Sequence, residues 1–398
     1  MKNNSRREFL RKSIIGISGA AFISSDLKAV ALASPIDSIP VLPSRTLGKT
    51  GIKTPLLSFG TSGVTATGLV RAAYEKGVKL FFSANYYGEG NNEILVGEAL
   101  KNYPRDSYVI GTAAIPEGID MRTGLLPSSF SAASFMKTAE SSLKRFGIDH
   151  IDIVLLPYAG RKETVLHETV LKTFEQLKKQ GKARFTGIAS HSDTEQALSA
   201  AAGSGVYDIA MIAYNHKVQN PVSLNAAISN AVKAGMGIVA MKSTAGGRNS
   251  SAAGTTAALK WVLQNEGLAS IVSGMTSLEQ LQSNIAMIND LKMTDQEKKE
   301  LNIASLELHE SLYCLQCKKC LPQCPHGLDI PSIMRSYMYA YGYMNMKQAR
   351  YNLDNSGITA NACSECASCK VKCSSGFDVM KKIKDISRLK DVPGEFLV

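Results

Sequence analysis

Residues 151–190 read I-D-I-V-L-L-P-Y-A-G-R-K-E-T-V-L-H-E-T-V-L-K-T-F-E-Q-L-K-K-Q-G-K-A-R-F-T-G-I-A-S. The segment begins with a short apolar run, 151–157, and ends with another, 183–190. Between them, residues 163–179 place Val165, Leu166, Val170, Leu171, Phe174 and Leu177 on one face of a helix. A strand, a crossover helix and a second strand form a βαβ unit, whose two strands must run parallel.

The same alternation continues in both directions. Further candidate strands lie at 55–59, 79–84, 108–114, 208–214, 237–242 and 270–275, with helical periodicity filling the gaps. Eight such repeats in about 240 residues suit a closed TIM (β/α)8 barrel. An open doubly wound sheet is the runner-up. It needs a glycine-rich G-x-G-x-x-G turn after its first strand, and the sequence has none there. At 398 residues and 44% hydrophobic, the chain has room for this α/β domain and a smaller second one.

All eight cysteines lie between Cys314 and Cys373, which argues against a scattered disulfide framework. Residues 314–325 read C-L-Q-C-K-K-C-L-P-Q-C-P, and residues 363–373 read C-S-E-C-A-S-C-K-V-K-C. Both fit C-x2-C-x2-C-x3-C, in which three thiolates wrap one cuboidal 4Fe-4S cluster and the fourth reaches the other cluster. The spacing assigns Cys314, Cys317, Cys320 and Cys373 to one cluster, and Cys363, Cys366, Cys369 and Cys324 to a second. Zinc ribbons built from paired C-x2-C arms are the alternative. Ser374 stands where the second motif often has Pro, a turn residue that ligates nothing.

Between the motifs, Asp329 and Pro331 signal the start of a helix over 332–353, with Ile333, Met334, Tyr337, Met338 and Tyr341 as an apolar stripe burying the clusters. A lysine-rich helix follows at 380–389, and another at 294–312 links the domains. This arrangement resembles the helical dicluster ferredoxin domain, which implies single-electron traffic with a redox partner protein.

Residues 5–12, S-R-R-E-F-L-R-K, precede a mildly apolar run, 13–24, and small-residue sites ending at Ala31 or Ala33. That is the order of a cleavable signal peptide. Arg6 and Arg7, with Phe9 and Leu10, resemble the twin-arginine export motif, implying passage of the folded protein through the twin-arginine machinery to the periplasm. The apolar run is too short to span a bilayer, and no other stretch reaches that length, so the mature chain is expected to have no membrane span. Removing residues 1–33 lowers the formal net charge from +11 to +7. Each oxidised cluster with its thiolates adds roughly −2. The basic balance therefore does not point to nucleic acid.

The barrel segment also resembles a known family. R-T-L-G-K-T-G (45–51), L-S-F-G-T-S-G (57–63), Y-Y-G-E-G-N-N-E-I-L-V-G-E-A-L (86–100), T-G-I-A-S-H-S (186–192) and G-M-T-S-L-E-Q-L-Q-S-N (274–284) are similar to the aldo/keto reductases. The resemblance covers about 44–290. It implies hydride transfer from a nicotinamide cofactor with a Tyr as proton donor, tuned by Asp, Lys and His. Matched motif by motif, the Tyr falls on Tyr87. The Asp, Lys and His positions hold Phe82, Ala113 and Pro157, and a nicotinamide-holding Gln falls on Met211. Without a neighbouring cation, Tyr87 is expected to be a poor acid at neutral pH. Residues 274–284 contain no Lys or Arg to meet a 2′-phosphate, which argues against NADP and leaves a flavin or another organic cofactor open.

Polar residues still gather at the C-terminal ends of the strands, where barrel sites are built: Tyr86, Tyr87, Tyr158, His191, Asn215, His216, Lys242 and Arg248. Tyr87, His191 and His216 are the catalytic candidates. Ser190, Asn215, Lys242 and Gly274 are the cofactor-binding candidates. A blander reading has both histidines capping loops. The expected order is signal peptide (1–33), barrel (34–292), helical linker (293–310) and dicluster domain (311–398). The expected function is that of an exported iron-sulfur oxidoreductase whose usual reductase set is largely lost. The alternatives are a silent barrel that docks an electron-transfer domain, and a reductase with a rebuilt site.

Overall fold

A computed structural model describes residues 39–246, 252–306 and 312–397. The expected signal peptide and Arg248 lie outside the described residues. The eight expected strands all form, as β3 (Leu57–Gly60), β4 (Leu80–Ala84), β5 (Val109–Ala113), β6 (Ile151–Leu156), β7 (Ala183–Ser190), β8 (Ile209–Ala213), β9 (Gly237–Met241) and β10 (Ser270–Gly274). They are parallel and closed, with β10 pairing both β9 and β3. A hairpin that the alternation did not reveal precedes them, β1 (Ser44–Thr46) with β2 (Lys53–Pro55). Its loop plugs the N-terminal end of the barrel: Leu47 and Ile52 join the interior core, and the Lys49 amide donates to the Gly235 carbonyl at 2.7 Å.

The outer ring consists of α1 (Thr67–Glu75), α2 (Asn91–Leu100), α3 (Ala132–Phe146), α4 (Lys162–Val165), α5 (Glu168–Lys179), α6 (Thr194–Ser204), α7 (Pro221–Lys233), α8 (Ala252–Leu263) and α9 (Leu278–Asn289). Most of the core lies between these helices and the outward face of the strands. Charges buried there are paired, as burial requires. Asp152 on β6 has no solvent exposure. It accepts from Arg105 at 2.7 Å, Arg184 at 2.6 Å and the Ile110 amide at 2.8 Å, tying β5, β6 and β7 together.

Three helix expectations need correction. The helix expected over 163–179 is two, α4 and α5, separated at Leu166 and His167. Thr164 pins the first turn by donating to the Gly124 carbonyl at 2.5 Å, and Leu166 ends up 45% exposed rather than on the buried face. The helix expected over 332–353 is likewise two, α11 (Ile330–Tyr341) and α12 (Met346–Asp354). Asn345 starts α12 by accepting from the Gln348 amide at 2.9 Å, and Met344 before it takes a left-handed φ of 53°. The expected linker helix is α10 (Asp295–Leu306). Its described part is shorter than the expected 294–312 and is bound to the barrel: Leu301 packs on Ala257 and Ala258 of α8, and Lys260 pairs with Glu297 at 2.9 Å.

The C-terminal domain is α11, α12 and α13 (Val379–Ser387) around a small core of Ile333, Met334, Met338, Leu353, Phe377 and Ile383. Asp329 starts α11 from its N-cap with Pro331 in the first turn, as the sequence signals. The domain sits on the C-terminal mouth of the barrel. Asn345 donates to the Ser62 carbonyl at 2.9 Å, and Lys318 pairs with Asp193. Gly342 approaches so closely that a Cβ there would stand 2.8 Å from the Gly246 carbonyl oxygen.

Candidate functional site

Alternate residues along a barrel strand face inward, and here that inward set is largely apolar, with the Ser58 and Ser270 hydroxyls paired at 2.6 Å. Leu80, Phe82, Ala84, Ala113, Ile153, Leu155, Ala189, Met211, Val239 and Met241 form one cluster, with Tyr86 and Tyr87 packed against its upper edge. Phe82 lies over Gly111, its register partner on the neighbouring β5, where a Cβ would stand 2.2 Å from its ring. Gly111 is what makes room for that ring.

Above this layer lies an aromatic group drawn from both domains. Tyr86 meets Tyr87 edge-on at 5.1 Å and stacks on Tyr351 of α12 at 5.5 Å, with Tyr158 at 6.1 Å. Burial pushes Tyr87 well above the ordinary tyrosine range; Tyr339 and Tyr158 push the same way, and a hydrogen bond with Tyr86 opposes them. Lys242 follows β9 with a left-handed φ of 58°. It donates to the Tyr339 hydroxyl at 2.6 Å and lies under the rings of Tyr339 and Tyr343. Burial lowers its amine to about 8, against an opposing pull from Tyr343.

The other expected residues separate into two groups. Asn215 joins the mouth by donating to the Lys242 carbonyl at 3.1 Å and by a hydrogen bond with Tyr313. His191 is held well below its ordinary value by burial, then by the charges of Arg335 and Lys242. Its Nδ1 is buried with no partner, so it does not cap a loop. His216 is apart from them: burial lowers it to about 4, the charge acting on it is that of Lys217, and neither ring nitrogen has a partner. Ser190 bonds locally, donating to the Ser192 carbonyl at 2.7 Å. Gly274 is exposed at the end of β10, beside Gly60.

The sequence reading missed Arg335, Tyr339, Tyr343 and Tyr351, which the second domain contributes to the mouth. The signal was present in the two-residue spacing of Tyr337, Tyr339, Tyr341 and Tyr343, which cannot lie on one face of one helix. Tyr337 and Tyr341 pair at 4.4 Å on one side, with Lys382 over Tyr337, while Tyr339 and Tyr343 turn to Lys242. Tyr341, expected in the buried stripe, is 40% exposed.

Cys314, Cys317, Cys320 and Cys373 line one void, backed by Ile330, Met334 and Val379. Burial raises the Cys314 thiol to about 12, with Cys320 and Cys373 adding to the rise. Cys363, raised first by burial, feels Cys366, Cys324 and Cys369 instead. Hence Cys324 and Cys373 each stand with the other motif's triplet. Ser374 touches the first set, its hydroxyl 3.1 Å from the Cys317 sulfur. Among the described residues, no three His, Cys, Asp or Glu side chains gather as one metal ion would need. The thiols surround a volume rather than a point.

The aldo/keto reductase family model matches residues 58–257, half of the chain. The chain belongs to the aldo/keto reductase family. In this aldo/keto reductase, a 4Fe-4S dicluster domain is matched over residues 313–378, which include all eight cysteines. The relatives include L-galactose dehydrogenase of Arabidopsis thaliana, 25% identical over 65% of this chain and 92% of that protein. A probable aldo-keto reductase 1 of Glycine max is 29% identical over 37% of this chain and 44% of that protein, less than half its length. Among solved structures, the aldo-keto reductase AKR11C1 of Bacillus halodurans shares the fold at TM-score 0.54 and 21% identity. That match covers 66% of this chain and 96% of that one. The residues present fit iron-sulfur clusters, since the donors are all soft sulfur and one foursome encloses a void.

Proposed function

We propose that this aldo/keto reductase is an exported oxidoreductase whose C-terminal domain passes single electrons between a partner protein and a ligand at the barrel mouth. One observation carries the reading. The void lined by Cys314, Cys317, Cys320 and Cys373 and the cleft at the mouth share Lys318 and Pro331 in their walls. Bound in the two thiol sets, 4Fe-4S clusters supply one-electron transfer at potentials tuned by burial and by hydrogen bonds to sulfur. Cys314, Cys317, Cys320 and Cys373 hold the inner one. Cys363, Cys366, Cys369 and Cys324 hold the outer one, on a loop whose Ser364, Glu365, Ala367 and Ser368 are exposed toward a partner.

At the mouth, Lys242 donates a 2.6 Å hydrogen bond to the Tyr339 hydroxyl, which keeps a proton donor among the mouth tyrosines. Phe82, Ala113 and Pro157 replace the partners that would make Tyr87 useful, so nicotinamide-driven carbonyl reduction is not the expected activity. The twin-arginine motif at Arg6 and Arg7 supports the export, since that route accepts a protein whose clusters are already built. The apolar barrel interior favours the second reading, a silent barrel that docks the electron-transfer domain. The test is anaerobic isolation with iron, sulfide and zinc analysis, followed by reduction monitored by electron paramagnetic resonance. We expect about eight iron and eight labile sulfide per chain. Zinc without sulfide would overturn the reading.

A further inference from the structure

The cleft at the mouth takes its walls from both domains. Tyr158, Arg161 and His191 come from the barrel. Gln316, Asp329 and Arg335 come from the C-terminal domain. Arg335, in the middle of α11, is its central cation. Its charge reaches Tyr158 and His191 on one side and Cys314 on the other. Among the described residues it has no carboxylate partner, and its Nη2 donates to the neutral Gln316 amide at 2.8 Å. The other cations of the cleft stand beside carboxylates, Lys318 by Asp193, Arg161 by Glu163 at 3.4 Å and Arg122 by Asp120 at 3.8 Å.

Three further atoms in the same cleft lack a hydrogen bond. Nδ1 of His191, Oδ2 of Asp329 and Nε of Arg161 are buried without one, and Asp329 is only 4% exposed. A buried polar atom left unpaired costs stability, so such atoms mark places where something else completes the bonding. One unmatched guanidinium with an unpaired acceptor and an unpaired ring nitrogen forms a recognisable set.

We infer that this cleft binds a small organic carboxylate bearing a hydroxyl or oxo group, anchored through its anionic end by Arg335. The assignment rests on the mouth being the working site. The planar guanidinium matches a carboxylate with two parallel hydrogen bonds. Asp329 and His191 face the remaining oxygen, Asp329 as acceptor from a hydroxyl. A phosphate dianion fits less well, because it would bring a second negative charge toward Asp329 with one free cation to meet it.

The experiment is calorimetric titration of the anaerobically isolated mature protein. The probes are lactate, pyruvate, the neutral analogues propanal and hydroxyacetone, and inorganic phosphate. Lactate or pyruvate should bind at least roughly tenfold more tightly than the neutral analogues and phosphate. Arg335→Gln should weaken carboxylate binding by roughly tenfold to a hundredfold, with Arg335→Lys restoring only part of it. Equal binding of neutral and anionic probes, tighter binding of phosphate, or no heat with either carboxylate overturns the assignment. A variant with unchanged carboxylate affinity and a shifted reduction potential also overturns it, because Arg335 would then serve only to offset cluster charge. Should Arg335→Gln lose iron, the comparison of anionic with neutral probes on the unaltered protein decides alone. Carboxylate binding by a protein whose clusters do not reduce keeps this assignment and removes the electron-transfer reading.

Discussion

Lys242 shows how the second domain changes the chemistry of a barrel residue. Its amine is held near 8 instead of 10.5, so between those values the unfolded chain carries a proton that the folded chain lacks. Stability therefore rises with pH across that window, and the full burial penalty is present below pH 8. Thermal unfolding from pH 7.5 to 10 should show the protein gaining on its Lys242→Met variant as pH rises. A constant gap would mean that the amine is not desolvated. Tyr87 leads to a second expectation. Burial pushes its proton further from release, and no cation stands in the positions held by Phe82, Ala113 and Pro157. NADPH oxidation with simple aldehydes should stay at background. Turnover that Tyr87→Phe abolishes would instead restore the ordinary reductase reading. Tyr87, His191, Asn215 and Lys242 were legible in the sequence because barrel sites gather at strand ends. Arg335 was not, because nothing in its own helix says that it faces another domain.

At the scale of elements, the strands were more legible than the helices. Each barrel strand is a short, largely apolar run bounded by turn residues, a pattern with few other readings. The helices at 163–179 and 332–353 keep their apolar periodicity across a break, so the sequence shows one helix where Thr164 and Asn345 make two. The hairpin of β1 and β2 escaped for a different reason: its strands are three residues long, too short to establish alternation. In the cysteine loops, the spacing implies a crossed arrangement, and Cys373 lines the void of the first triplet. Replacing Cys373 with Ser should therefore damage the cluster on Cys314, Cys317 and Cys320 rather than the one on its sequence neighbours. Electron paramagnetic resonance of the reduced variant is the check, and selective loss of the Cys363 signal would reverse the pairing.

For the molecule as a whole, the proposed export makes a prediction of its own. Replacing Arg6 and Arg7 with Lys should leave a folded, cluster-bearing precursor in the cytoplasm, because the twin-arginine receptor reads guanidinium groups rather than charge alone. Cell fractionation decides it, and unchanged export would require another route. The seating of the C-terminal domain has a further consequence. Tyr351, Tyr339 and Asn345 close the barrel mouth, and they belong to a domain whose own apolar core is small. Its fold must lean on whatever the cysteines hold. Treating the protein with an iron chelator in air should make residues 312–397 sensitive to protease while the barrel survives intact. The lid would then behave as a fuse: the oxidant that destroys the clusters would also unlatch the barrel mouth beneath it, so a protein damaged by oxygen would lose its guard and its proposed electron traffic together.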